Sequence, residues 1–173
     1  MHHTIQRMRK KIAGGMADDD GRRRLVFTKK DIEIIEKVLK TFLKNAKARC
    51  ILLVDKDGHL VTKEGESSKY EMDTISALVA GSFAATKRMA KLLGKEEFSI
   101  MFHQGKKDNI QLSLVGDRTL LSVVFDDKST LGMVRLYGSQ VASKLTELFE
   151  EIRNRGRQGP DSFGSPWPPV APA

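Results

Sequence analysis

The chain has 173 residues, 40% hydrophobic and 30% charged, a composition typical of one soluble globular domain with tails. No apolar run approaches the roughly 20 residues that a membrane span requires, and no secretory signal is visible, so we expect a cytoplasmic protein. Cys50 is the single cysteine, which excludes an intramolecular disulfide and a cysteine-based zinc site.

The net charge of +8 is concentrated towards the ends of the chain. Residues 1–24 carry +4 and residues 154–173 carry +1, whereas residues 25–153 intersperse 21 basic with 18 acidic side chains. These shifts predict a disordered basic N-terminal tail (1–24), one folded domain (25–153) and a disordered Gly/Pro-rich C-terminal tail (154–173). A start at Met16 in place of Met1 would remove most of the basic tail.

The first part of the domain predicts a helix and a two-stranded hairpin. Thr28 followed by Asp31 is typical of a helix start, with a capping hydroxyl and an acid in the first turn. Residues 50–54 (CILLV) are apolar on both faces, as expected of a strand covered on both sides. The KDG sequence at 56–58 favours a tight turn into a returning strand at 59–62.

Residues 73–94 predict a long helix with two unlike faces, capped by Asp73 and closed by Gly94. Large apolar residues indicate a core-facing stripe: Ile75, Leu78, Val79, Met89 and Leu93. The opposite face is small and nearly bare for two turns: Ala77, Ala80, Gly81, Ala84 and Ala85, with Lys87, Arg88 and Lys91 in the last turns. Alanine is the best helix former, but Gly81 costs about 1 kcal/mol relative to alanine inside a helix. We therefore interpret the small face as a docking surface.

Three short strands and a helix complete the domain, with strands predicted at 98–102, 110–114 and 120–125 and the helix from about 130 to 153. Hairpin-type connections imply an antiparallel sheet, and the two-sided central strands imply helices on both faces. The predicted fold is α/β (α+β): a five-stranded antiparallel sheet with two helices on one face. The 73–94 helix covers the other face alone and turns its small residues outward.

No constellation of residues typical of an enzyme is present in the sequence. The nearest phosphate-loop lookalike, at 81–88, lacks the second glycine and lies inside a predicted helix. His59 and His103 are isolated, without a partner at metal-ligand spacing, and Asp126 and Asp127 stand where residues cap the next helix. We therefore predict no catalytic residue, no metal and no cofactor.

Four stretches and the spacing between them carry a resemblance to a known family: LLVDKDGHLV at 52–61, LVAGSFAATKRMAKLLG at 78–94, FHQG at 102–105 and LLSVVFDDKSTLGMVRL at 120–136. Over about residues 27–153 the chain resembles the Roadblock/dynein light chain family, and in detail its bacterial members that work with a Ras-like GTPase.

That resemblance implies a homodimer in which edge strands pair and two copies of the 73–94 helix lie side by side. The dimer would bind one small GTPase of the MglA type and raise its hydrolysis rate, without a catalytic site or arginine finger of its own. The resemblance also implies a role in bacterial cell polarity or motility, with a position at a cell pole.

The same resemblance implies the residues of the GTPase-binding face. Gly81 and Ala84 fall on the family's small-residue face, and Ala77 and Ala85 extend that patch in this sequence. Arg88 continues the stripe where a small residue is more typical, so it either clashes with the partner or pairs with an acidic group there. Two alternatives stay open: a scaffold that recruits a GTPase without changing turnover, and a basic-tail binder of nucleic acid or lipid.

Overall fold

The computed structural model describes residues 24–68, 70–95 and 98–157. Its elements run in the predicted order: helix α1 (Lys29–Asn45), strands β1 (Cys50–Asp55) and β2 (Leu60–Gly65), helix α2 (Met72–Leu92), strands β3 (Ile100–Gln104), β4 (Asn109–Val115) and β5 (Thr119–Phe125), and helix α3 (Leu131–Arg157). Within these described residues, no helix combines the length and apolar character that crossing a membrane requires.

All five strands form one antiparallel sheet in the order β2-β1-β5-β4-β3. Strand β1 lies between β2 and β5, with Leu53 opposite Thr62 on one side and Leu121 on the other. Every residue of β1 is buried, and so is every residue of β5 but Val124, which confirms that both strands are covered on both faces. Strands β2 and β3 are the two edges of the sheet.

Helices cover the two faces of the sheet unequally. Helices α1 and α3 share one face, where Ile35, Phe42 and Leu145 pack against sheet residues that include Leu53 and Val123. Helix α2 lies alone on the other face, where its buried residues pack against β1, β4 and β5: Met72, Val79, Ala80 and Phe83. The predicted arrangement of a five-stranded antiparallel sheet with two helices on one side and one on the other is confirmed.

The start of α1 is a capping box, as the sequence predicts. The Thr28 hydroxyl accepts a hydrogen bond from the backbone N–H of Asp31 (3.2 Å), and the Asp31 carboxylate accepts one from the backbone N–H of Thr28 (2.8 Å). Arg155 near the end of α3 also donates to Asp31 (2.8 Å). The cap therefore joins the beginning of the domain to its last helix.

The predicted boundaries of two helices differ from the structure. Helix α2 begins one residue before Asp73, and Glu71 occupies the N-cap without a side-chain cap bond, so the prediction that Asp73 caps this helix is wrong. Gly94 follows the helix end with φ of +68°, which confirms its predicted role. Helix α3 continues to Arg157, beyond the predicted end at 153. Residues 1–23 and 158–173 lie outside the described residues, so the two predicted tails stay predictions.

Candidate functional site

Helix α2 presents the predicted docking residues away from the sheet. Ala77, Gly81, Ala85 and Arg88 are exposed, and Ala84 is half-buried. Because most neighbouring positions in this set are three or four residues apart, they form a stripe along one side of the helix. A Cβ added at Gly81 would meet no atom within 4 Å. Nothing within the described chain therefore requires a glycine at this position.

The predicted core-facing stripe of α2 is wrong for three of its five residues. Leu78, Met89 and Leu93 are 65%, 54% and 69% exposed, whereas Ile75 and Val79 contact the sheet as predicted. The buried side is formed by smaller side chains together with one phenylalanine and one methionine: Met72, Ser76, Val79, Ala80, Phe83 and Ala90. With 3.6 residues per turn, the buried face is roughly a quarter of a turn from the predicted one.

This rotation also changes the small-residue face. Ala80, predicted to face outward with the other small residues, is only 7% exposed and packs against the sheet. In its place, large apolar side chains border the outward stripe, since Leu78, Met89 and Leu92 are all exposed. The outward surface of α2 is therefore apolar as well as small, and an exposed apolar surface of this kind marks an interaction site.

Strand β3 is a second exposed apolar feature of the chain. It is an edge strand, hydrogen-bonded to β4 on one side and to no other described strand. Ile100 and Phe102 on this strand are 46% and 37% exposed, and Phe98 just before it is 39% exposed. Natural edge strands are usually protected by charges or prolines. The sequence of β3, IMFHQ, contains no lysine, arginine, acid or proline.

The opposite edge, β2, is protected in the usual way. Lys40 of α1 forms an ion pair with Glu64 (3.8 Å), and Glu36 of α1 accepts a hydrogen bond from the Thr62 hydroxyl (3.1 Å). Charged side chains and a neighbouring helix therefore make β2 a poor template for another strand. Of the two edges, β3 is the one suited to pairing with a second chain.

The turn between β1 and β2 lies directly against the docking helix. Gly58 has φ of +91°, and a Cβ added there would lie 3.1 Å from the Cα of Ala77. The Asp55 carboxylate holds this turn by accepting hydrogen bonds from the backbone N–H groups of Asp57 (3.0 Å) and His59 (2.9 Å). Arg24 pairs with the other oxygen of Asp55 (2.7 Å).

His59 is less isolated than the sequence indicated. Its Nδ1 lies 3.3 Å from an Asp55 oxygen, and these two residues together with Asp57 place possible ligand atoms within 4.8 Å of one another. The sequence analysis missed Asp55 because it ends a buried strand. Its carboxylate is already occupied by the turn and by Arg24, so its hydrogen bonds account for this cluster without a metal.

The fold, the lone outward helix and the free β3 edge together define the class of protein. Residues 34–125 match the Roadblock/LC7 domain, and the chain belongs to this family. Myxococcus xanthus MglB is similar, with 36% identity and a TM-score of 0.70 over 74% of this chain and 96% of that chain. The gliding protein MglB of Thermus thermophilus is 34% identical, with a TM-score of 0.69 over 73% of this chain and 96% of that one.

An MglB with a tetrameric arrangement is also similar, at 34% identity and a TM-score of 0.70 over 74% of this chain and 96% of that chain. No curated protein matches the sequence. The likeness to MglB spans nearly the whole of those chains.

Proposed function

We propose that this protein is a homodimeric regulator of a Ras-like small GTPase of the MglA type and that it stimulates GTP hydrolysis in bacterial cell polarity or motility. The observation that carries the proposal is the outward stripe of α2. A Cβ at Gly81 on that stripe would have no described neighbour within 4 Å. The similarity of the chain to MglB from two bacteria also supports the proposal. Glycine is unfavourable inside a helix, and no contact within the described chain requires one at position 81. A partner that lies close against the helix would explain why glycine is found there.

The dimer forms at the free edge of the sheet. Two copies of β3 pair their unpaired backbone groups, and the exposed side chains of Phe98, Ile100 and Phe102 become buried between the protomers. A second copy of α2 then lies beside the first. This arrangement covers the apolar side chains of Leu78 and Met89, which one protomer leaves in water.

The GTPase binds across the small-residue stripe. Ala77, Gly81, Ala84 and Ala85 let its backbone approach α2 closely. Arg88 lies on the same exposed side, and no acidic partner contacts it among the described residues, so it is placed to pair with a carboxylate of the GTPase.

The protein accelerates hydrolysis by positioning, with no catalytic residue of its own. The GTPase's own arginine and glutamine perform the chemistry, and the dimer holds its switch regions in the competent arrangement. A partner shifts such an equilibrium only by its differential affinity for the two states. The dimer must therefore bind the GTP-bound or transition-state conformation more tightly than the GDP-bound one.

Multiple-turnover GTP hydrolysis by the MglA-type GTPase of the same organism tests the proposal. We expect saturating dimer to raise the rate by at least about tenfold, since GTPase activation commonly gives far more. Binding without acceleration would instead identify a recruiting scaffold. Gly81→Arg should abolish binding and leave the dimer folded.

Gly156→Arg is a matched control for Gly81→Arg. Gly156 is also helical, and a Cβ there also meets nothing within 4 Å, but it lies near the end of α3. This variant should bind the GTPase normally. If Gly81→Arg binds as well as Gly156→Arg, the docking face is assigned to the wrong surface.

A further inference from the structure

Arg49 forms a cluster with three carboxylates from three different parts of the chain. Its guanidinium contacts Asp108 in the β3–β4 turn (2.6 Å), Glu66 after β2 (2.9 Å) and Asp126 after β5 (3.9 Å). Hydrogen bonds to Glu66 and Asp108 raise the pKa of Arg49, so the guanidinium keeps its charge at any working pH. We call these four residues the Arg49 cluster.

Backbone hydrogen bonds hold Arg49 at one end of the sheet. Its N–H donates to the carbonyl of Val124 in β5 (2.8 Å), and its carbonyl accepts from the N–H of Glu66 (2.9 Å). The residue thus lies just before β1, at the end of the sheet where β2 and β5 finish on either side of β1. Its planar guanidinium reaches from there to the β3–β4 turn, and β4 lies two strands away from β1.

Strand β3 has few other attachments to the body of the protein. Among the described strands it is hydrogen-bonded only to β4, and it enters β4 through a tight turn in which a Cβ at Gly105 would collide with the carbonyl oxygen of Asp108. Met101 packs against the α2 side of the core, and Phe102 stacks on Phe125 with ring centroids 6.2 Å apart. Strand β4 is itself paired with β5 from Asn109 to Val115, so the weakly attached part of this hairpin is β3 together with the turn that contains Asp108.

We propose that Arg49 is a positioning residue for dimer formation, because through Asp108 it holds the β3–β4 turn, and with it the end of β3, against the sheet and so presents the free β3 edge to a second copy of this chain. The inference rests on the proposed homodimer. Loosening the turn makes association costlier, since the β3 edge must then be ordered as it pairs. The monomer keeps its fold, because the main core lies between the sheet and helices α1 and α3.

Dimer dissociation constants of the full chain, measured by sedimentation velocity over a dilution series, test this role. Surface ion pairs are individually weak, so we expect Arg49→Gln to raise the dissociation constant about fivefold to tenfold and Asp108→Asn about threefold. Arg49→Lys should lie between Arg49→Gln and the wild type. Hydrogen exchange at the β3 amides should be faster in Arg49→Gln than in the wild type, both measured as monomers.

Two control variants test whether a change in the dimer dissociation constant comes from the β3–β4 turn or from a general loss of stability. Glu66→Gln removes a carboxylate that contacts Arg49 but lies at the β2 end. Arg118→Gln removes a comparable ion pair with Asp57 (3.4 Å) at the other end of the sheet. Both should leave the dissociation constant within about twofold of the wild type.

The outcomes distinguish this inference from the proposed function. If the wild type dimerises and Asp108→Asn does so equally well, the positioning role is wrong and the dimer stands. An effect of Glu66→Gln as large as that of Asp108→Asn would also overturn it. A wild type that stays monomeric at every concentration would overturn both proposals. Should Arg49→Gln fail to fold, Asp108→Asn decides alone.

Discussion

Arg155 donates a hydrogen bond from Nη2 to Oδ1 of Asp31 over a distance of 2.8 Å and across 124 residues of sequence. Asp31 is almost fully buried, and burial by itself raises the pKa of its carboxyl. Hydrogen bonds from Arg155 and Thr28 outweigh that effect, so the pKa of Asp31 lies below its ordinary value. The ionised carboxylate of Asp31 therefore links the start of α1 to the end of α3.

Asp31→Asn should destabilise the domain in a pH-dependent way. Replacing the carboxylate that accepts hydrogen bonds from Thr28 and Arg155 with an uncharged amide should lower the free energy of unfolding by about 1 kcal/mol at pH 7. Because the folded pKa is depressed, the stabilisation by Asp31 is present above the unfolded pKa of about 3.9 and is lost as pH falls through the folded pKa. Urea unfolding of both proteins between pH 7 and pH 3 should show the difference shrinking towards acid.

Asp73→Asn is the control for this prediction. Asp73 also lies in the first turn of a helix, but it is exposed and is not the capping residue. Its substitution should change stability by only about a few tenths of a kcal/mol. A pH-independent loss in Asp31→Asn would contradict the assigned ionisation.

Gly58→Ala should destabilise the β1–β2 turn and disturb the docking helix. The positive φ at Gly58 disfavours any Cβ, and the Cα of Ala77 lies only 3.1 Å from where that Cβ would be. We expect a loss of about 1–3 kcal/mol in the free energy of unfolding. GTPase binding, measured by titration calorimetry, should weaken as well.

Gly94→Ala provides the comparison, since it has a similar φ of +68° but no atom within 4 Å of the added Cβ. It should show the conformational strain without the collision, and thus a smaller loss of stability. Equal losses in the two variants would mean that contact with Ala77 contributes nothing.

Local signals in the sequence predicted the order of elements and several of their ends. The hydroxyl of Thr28 and the carboxylate of Asp31 act within four residues of each other, and Gly94 adopts the positive φ that ends a helix. The apolar run at 50–54 likewise required cover on both faces. These features depend on neighbours in sequence, so they are visible without the fold.

The buried face of α2 was not predictable in the same way. Hydrophobic periodicity assigns large side chains to the core, yet Leu78 and Met89 are exposed while Ser76 is fully buried. In the sequence, an apolar side chain that binds a second protein cannot be distinguished from one that packs in the core. The Arg49 cluster was also invisible, because Arg49 and Asp108 are 59 residues apart.

Ile100→Lys should convert the proposed dimer into a monomer. Ile100 is 46% exposed on the free edge strand, and a lysine there is the charge that edge strands commonly use against pairing. We expect the dimer dissociation constant to rise by at least about 100-fold, since an edge carrying lysine would lose about 3 kcal/mol or more of burial and pairing. Light scattering coupled to size exclusion measures the change.

Leu136→Lys is the matched control for the edge. Leu136 is 58% exposed but belongs to helix α3 and not to the free edge strand. This variant should stay dimeric and equally stable. If both variants dissociate, or neither does, the protomers do not meet at β3.

Two alanines of α2 make the sharpest test of which face binds the GTPase. Ala80 and Ala85 have the same side chain and both belong to the small face that the sequence predicts, but Ala80 is buried and Ala85 is exposed. Ala85→Arg should keep the thermal midpoint within about 2 °C, as a surface substitution does, and abolish GTPase binding. Ala80→Arg should unfold the domain or lower its stability by about 3 kcal/mol or more, because a charged group would enter the core without a partner.

Thermal unfolding and GTPase binding measured on both variants separate stability from recognition. Leu78→Asp extends the test to the apolar flank: it should leave the monomer as stable as the wild type and weaken assembly, since its side chain is 65% exposed in one protomer. If Ala85→Arg bound the GTPase normally, the outward face of α2 would not be the docking surface, even with the dimer intact.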